Sequence, residues 1–121
     1  MNSELLNELA AAGCGVEASL NGTFMGNEAF YLKMLGKLPE KTILEKLRAA
    51  LTTGEVKAVF EASHELKGVY ATLGLTPLFT ACCEIVEIAR AGSIEGIEPK
   101  LTALEAAHAE MMAKILSGLG R

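Results

Sequence analysis

Apolar side chains recur at three- and four-residue spacing along nearly all of this chain, and glycines end most of the runs. That period belongs to the α-helix, and no alternation of period two competes with it. From Asn27 to about Leu38 the spacing aligns Phe30, Tyr31, Met34, Leu35 and Leu38. Pro39 interrupts the hydrogen bonding but suits the first turn of a renewed helix. Ile43, Leu44, Leu47, Ala50 and Leu51 then carry the stripe to Thr52-Thr53-Gly54. A second long helix is predicted from about Glu55 to Leu73, with Gly74 as a left-handed C-cap. Thr76-Pro77 restarts the chain as N-cap and N1, and the third helix reaches about Ala91. Arg90 sits near its negative end and Gly92 closes it. A fourth runs from about Pro99 to Leu116. Ahead of these, Asn2 or Ser3 caps a short helix over about residues 3–12 that stops near Gly13 and Gly15. A turn of helix follows over residues 16–20, Asn21-Gly22 marks a turn, and Asn27 caps the helix opening at Glu28.

Four long amphipathic segments on short connections must bury their stripes on one another. The expected fold is all-α, an antiparallel up-down four-helix bundle with an additional short N-terminal helix. The 121 residues leave room for one domain, 1–121, with a cap helix at about 3–12 and the bundle at about 27–118. Half the residues are hydrophobic, aromatics are 5% and Trp is absent. The core is therefore built from Ala, Leu, Ile, Val and Met, the palette of packed helices. Met1 and the lack of a linker lean slightly towards a complete small protein, and a piece of a larger hybrid kinase would look the same.

Charge removes several functions. Eleven Lys+Arg against fifteen Asp+Glu give −4, and no run of Lys or Arg forms the basic patch a nucleic-acid binder needs. Charges break every apolar stretch before the 18 or so residues a membrane helix requires. Residues 1–6 show no cationic region followed by an apolar one, so no secretory signal is predicted. Three cysteines without C-x-x-C spacing fit free thiols in a reducing cytoplasm.

The stretch that carries chemistry is His64-Glu65-Leu66-Lys67-Gly68-Val69-Tyr70-Ala71-Thr72-Leu73-Gly74. On a helix, residues at i, i+3, i+4 and i+7 share a face, which gathers His64, Lys67, Gly68 and Ala71. The core stripe of the same helix is Val56, Val59, Phe60, Ser63, Leu66, Tyr70 and Leu73. His64 lies roughly 120° from its centre, on the flank, where an imidazole reaches solvent. A neutral imidazole is a nucleophile near neutral pH. Lys67 supplies a compact positive charge suited to a phosphoryl group. A mid-helix glycine costs about 1 kcal/mol relative to Ala. Room for a bulky partner or a phosphoryl group beside the imidazole is one reason for Gly68 to stand there; tight helix packing is the other.

This H-x-L-K-G-x(5)-G pattern resembles the signature of histidine-containing phosphotransfer (HPt) domains, helical bundles that relay phosphoryl groups between receiver-domain aspartates. Gly26-Asn27-Glu28-Ala29-Phe30-Tyr31-Leu32 is similar to the family's early G-[ND]-x-x-x-[FY] segment. Residues 44–51 with Thr53-Gly54-Glu55 resemble its entry into the histidine helix, and Leu73-Gly74-Leu75 and the run from Cys83-Glu84 to Arg90-Ala91-Gly92 also fit. The resemblance implies that His64 accepts the phosphoryl group, Lys67 stabilises it and Gly68 gives clearance. Two positions depart from the family: Thr72, where a carboxamide or small polar residue is commoner, and Tyr70, where a small residue is commoner. Tyr70 is expected to point inward and alter packing alone. The partners implied are response-regulator receiver domains, a hybrid sensor histidine kinase, or both. Mg²⁺ would sit on the receiver, and this chain would need no cofactor and no metal. A cytoplasmic monomer is implied.

The chain has no P-loop, no Gly-rich nucleotide loop and no cluster of acidic metal ligands, which argues against autonomous kinase activity. The alternative is a helical-bundle interaction module that docks a partner and transfers nothing. A metal- or haem-binding bundle would need inward ligands on facing helices, and two histidines are too few to supply them. His108 has no motif around it and is expected to be a surface or half-buried histidine. Cys82 and Cys83, adjacent on a helix, point about 100° apart and fit the core. Cys14 has no partner spacing, and Met111-Met112 fill the core. Glu61 and Glu65 flank the His64 face as solvated charges or as selectors of the partner.

Overall fold

The computed structural model describes residues 3–121, and among these every regular element is a helix. In chain order they are α1 (Ser3–Ala11), α2 (Val16–Asn21), α3 (Glu28–Lys37), a 3₁₀ turn (Leu38–Glu40), α4 (Ile43–Thr53), α5 (Val56–Thr72), α6 (Thr76–Arg90) and α7 (Ile97–Gly118). Helix α5 packs on both α4 and α6, and α7 packs on both α6 and α4, which closes a four-helix ring. Its interior holds Leu47, Val59, Leu66, Tyr70, Leu78, Ile85, Leu101 and Leu104, all fully buried. Met111 and Met112 are buried as expected.

The stripe expected to run on from Asn27 to Gly54 is broken. Pro39 carries no N–H, so the chain makes a single 3₁₀ turn and then extends at Lys41 (φ −81°, ψ 143°) before α4 begins. The bundle therefore starts at Ile43 instead of about residue 27, and α3 lies outside the ring, in contact with α7. The predicted N-cap holds: the Asn27 side chain accepts from the Phe30 N–H at 3.0 Å. Of the two caps proposed for α1, Asn2 lies outside the described residues and Ser3 is the first helical residue.

The N-terminal helices are tied to the bundle at its α5–α6 corner. Tyr31 of α3 is buried and donates its hydroxyl to the Leu73 carbonyl at 2.8 Å. Burial pushes its phenol up to about 12, so the donor proton is always present. Gly15 donates to the Gly74 carbonyl at 2.8 Å and to Thr76 Oγ1 at 3.1 Å. Thr76 is thus the first residue of α6 and not its cap; Leu75 occupies that position. Gly74 has φ +70°, and a Cβ there would fall 2.5 Å from Ser19 Oγ and 2.7 Å from the Gly15 carbonyl oxygen.

Two polar clamps join the ring. Arg48 of α4 grips Glu105 of α7 through Nη2 (2.6 Å) and Nε (3.0 Å), and also bonds Glu98. The Arg48 hydrogen bonds hold the Glu105 carboxyl below its usual range. Deeper in, Tyr70 of α5 and His108 of α7 share a hydrogen bond of 2.7 Å between Oη and Nδ1. Burial lowers the His108 pKa from 6.5 and raises that of Tyr70, so both are neutral and one proton serves the contact.

Two outcomes follow. Gly74→Ala should destabilise the fold by at least about 1–2 kcal/mol, from left-handed strain alone, in thermal or denaturant unfolding. A histidine whose pKa is depressed by folding stabilises fully above its unfolded value of 6.5, and that stability is lost as pH falls below it. His108→Gln keeps a neutral hydrogen-bonding group opposite Tyr70. It should flatten the fall in unfolding free energy between about pH 7 and 5.

Candidate functional site

Helix α5 carries two faces with opposite requirements. Gly54, left-handed at φ +78°, ends α4, and Glu55 in extended conformation opens α5. Val59, Ala62, Ser63, Leu66 and Tyr70 are buried along one side. That burial fixes the helix's rotation, so His64, Glu65, Gly68, Ala71 and Thr72 are exposed on the other. Lys67 is half-buried and forms no ion pair among the described residues. Its positive charge acts weakly on the buried Cys82 thiol of α6, favouring the thiolate. Burial outweighs that effect and pushes the thiol up to about 12, so Cys82 is unreactive.

Gly68 has no neighbour within 4 Å of where a Cβ would sit. Helix packing within this chain therefore does not explain the glycine, and the space beside His64 is open. Thr72 donates to the Gly68 carbonyl at 2.9 Å, the ordinary use of a threonine one turn on. Glu65 faces Lys46 of α4 at 3.7 Å, both side chains being exposed. Glu61 is exposed.

Two expectations for α5 need correction. Val56 and Phe60, assigned to the core stripe, are only half-buried. The Phe60 ring stacks against the His64 imidazole with centroids 5.6 Å apart and planes tilted by 36°. The Arg90 guanidinium of α6 lies over the same ring, 5.3 Å from its centroid. Arg90 also donates from Nε to Glu87 at 3.1 Å. Sequence reasoning gave Arg90 only to the helix end. The i, i+4 spacing of Phe60 and His64 was visible, but the approach of a second helix was not. Tyr70 is buried as expected, and its hydroxyl finds the one histidine that had been set aside.

Beyond Gly68 the surface falls into a groove of about 540 Å³ between α3 and α5. Phe30, Met34, Val69 and Leu73 give it an apolar wall, and Lys41 and Glu65 add charge. Phe30 is 47% exposed and Met25, on the turn before α3, is 87% exposed; these are the exposed large hydrophobic residues of the described chain. Among the described residues no three His, Cys, Asp or Glu side chains come together as a metal site, and the three cysteines are free. No helix there is long and apolar enough to cross a membrane.

An exposed imidazole, a lysine one turn on and an open glycine together suit the transfer of a small anionic group to the ring. The family model for the Hpt domain matches residues 40–114, well over half the chain and the whole of α5. Neither a curated protein nor a solved structure gives a match. Hpt domains act in phosphotransfer within two-component signalling, where they meet receiver domains and kinases. On the strength of that match and of the bundle that bears it out, this chain belongs to the Hpt domain family.

Proposed function

We propose that His64 accepts a phosphoryl group from a receiver-domain aspartate and passes it to a second receiver. The observation that carries this reading is the exposed His64 beside an unobstructed Gly68 in a chain of the Hpt family. The unprotonated imidazole nitrogen attacks the aspartyl phosphate in line. An N–P bond forms, the P–O bond to aspartate breaks, and the carboxylate leaves with the electron pair. Onward transfer is the same displacement run toward a second aspartate. Lys67 offsets charge on the transferring oxygens, and Gly68 admits the receiver's acidic pocket. The groove beside Gly68 offers the receiver an apolar docking face contiguous with the nucleophile.

The receiver would bring the Mg²⁺, and this chain would work without a cofactor, as a cytoplasmic monomer. The sequence carries no P-loop or Gly-rich nucleotide loop, and on this reading the phosphoryl group is made elsewhere. A docking module that transfers nothing could use the same groove, but it would have no use for His64 with clear space beside it.

Incubation with a phosphorylated receiver should place an acid-labile, base-stable label on this chain and none on His64→Gln. A label that persists in the variant, or that no receiver delivers to the wild type, would refute the reading. Lys67→Ala should slow transfer by roughly ten-fold while leaving helical content unchanged in circular dichroism. Gly68→Ala should raise stability by up to about 1 kcal/mol, because the added methyl meets nothing. Gly68→Gln should fold and yet block transfer. If it unfolds instead, the clearance role is wrong.

A further inference from the structure

We propose that Phe60 is a positioning residue for the phosphotransfer site, a shared support that orients the His64 imidazole and holds Arg90 in the same cluster. The inference rests on the reading of His64 as phosphoacceptor. Phe60 stands one helical turn before His64, and its ring is only half-buried although an apolar ring of that size gains most from full burial. Part of the ring packs against the hydrophobic core. The rest of it faces two polar neighbours. The imidazole rests 5.6 Å from its centroid, inside the range for paired aromatic rings. The Arg90 guanidinium lies 5.3 Å from the same centroid, inside the range for a cation–π contact.

Each contact restricts a side chain that would otherwise sample several rotamers at the surface. For His64 the restriction favours one presentation of the reacting nitrogen. For Arg90 it adds to the bond from Nε to Glu87, which leaves the terminal guanidinium nitrogens without a hydrogen-bond partner among the described residues. A second positive charge, from α6, is thereby stationed in the cluster where a phosphoryl group would add nearly two negative charges. Lys67 approaches from α5 itself. Phe60 is the element that connects the second charge to the nucleophile.

The test compares Phe60→Leu and Phe60→Tyr with the wild type in the unphosphorylated chain and in transfer. The His64 ring C–H resonances should carry a ring-current displacement in wild type and Phe60→Tyr, and lose it in Phe60→Leu. Phe60→Leu should lower the maximal transfer rate from a phosphorylated receiver by about 2- to 5-fold. The receiver concentration at half-maximal rate should stay unchanged, and Phe60→Tyr should restore the rate. Arg90→Gln should slow transfer in the wild type and add little to Phe60→Leu, because the guanidinium is already unmoored there.

Unchanged His64 resonances in Phe60→Leu would overturn the proposal. So would a rate loss that Phe60→Tyr fails to rescue, or losses from Phe60 and Arg90 that simply multiply. The resonances are read without any phosphoryl group, so they report on the support even if no receiver labels the wild type. That last failure would count against the phosphotransfer reading alone.

Discussion

The hydroxyl of Tyr70 is buried in the middle of the bundle and must find a partner there, because an unpaired buried hydroxyl costs about 1–3 kcal/mol. Its partner is His108 on α7. This bond does more than satisfy two polar groups. Together with the burial of Val59, Ala62, Ser63 and Leu66, it holds the rotation of α5, and the direction of every other α5 side chain follows from that rotation. A turn of the helix by one residue, about 100°, would carry Tyr70 away from His108 and swing His64 toward the packed faces. The exposure of His64 is therefore set by the packed side of its own helix, including a contact six residues away.

A second constraint acts at the α5–α6 corner. Gly74 lies so close to Ser19 and Gly15 that only a residue without a side chain fits, and Tyr31 anchors α3 to the Leu73 carbonyl beside it. These contacts fasten the N-terminal helices against the end of α5 and so place Phe30 and Met34 across from Gly68 and Val69. The family match begins at residue 40, after α3. The proposed nucleophile thus lies within the matched part and the facing wall of the groove outside it.

Much of this was legible in the sequence because it is local. Helical period, the Asn27 cap, and the left-handed glycines at 54, 74 and 92 all depend on neighbours within a turn or two. The flank position of His64 follows from the same period. The break after α3 is harder to read for a related reason. Pro39 suits a first helical turn, and its missing N–H equally lets the chain stop after one 3₁₀ turn, as it does here. Thr76 had the residue type of a cap, but Gly15 claims its hydroxyl from 61 residues away. The contacts of Phe60 with Arg90 and of Tyr70 with His108 join different helices, and no spacing rule along one helix reveals them. Phe60 was assigned to the core because its position on the wheel borders the stripe, and border positions are where tertiary neighbours decide.

A carrier must release its phosphoryl group as readily as it takes it, and that demand bears on how the site is built. A deep pocket lined with cations would stabilise the phosphorylated histidine and slow the onward step, because tight binding of an intermediate raises the barrier that follows it. Helices α5 and α6 offer the opposite: an imidazole at the surface, one half-buried lysine and one arginine held by a ring and a glutamate. Charge of that amount, in contact with water, is screened and modest in strength. On the proposed reading the strong electrostatics would belong to the receiver, which departs after each transfer. On this reading the shallow site is what keeps transfer reversible, and orientation by Phe60 is the one advantage the chain can add without binding the phosphoryl group more tightly.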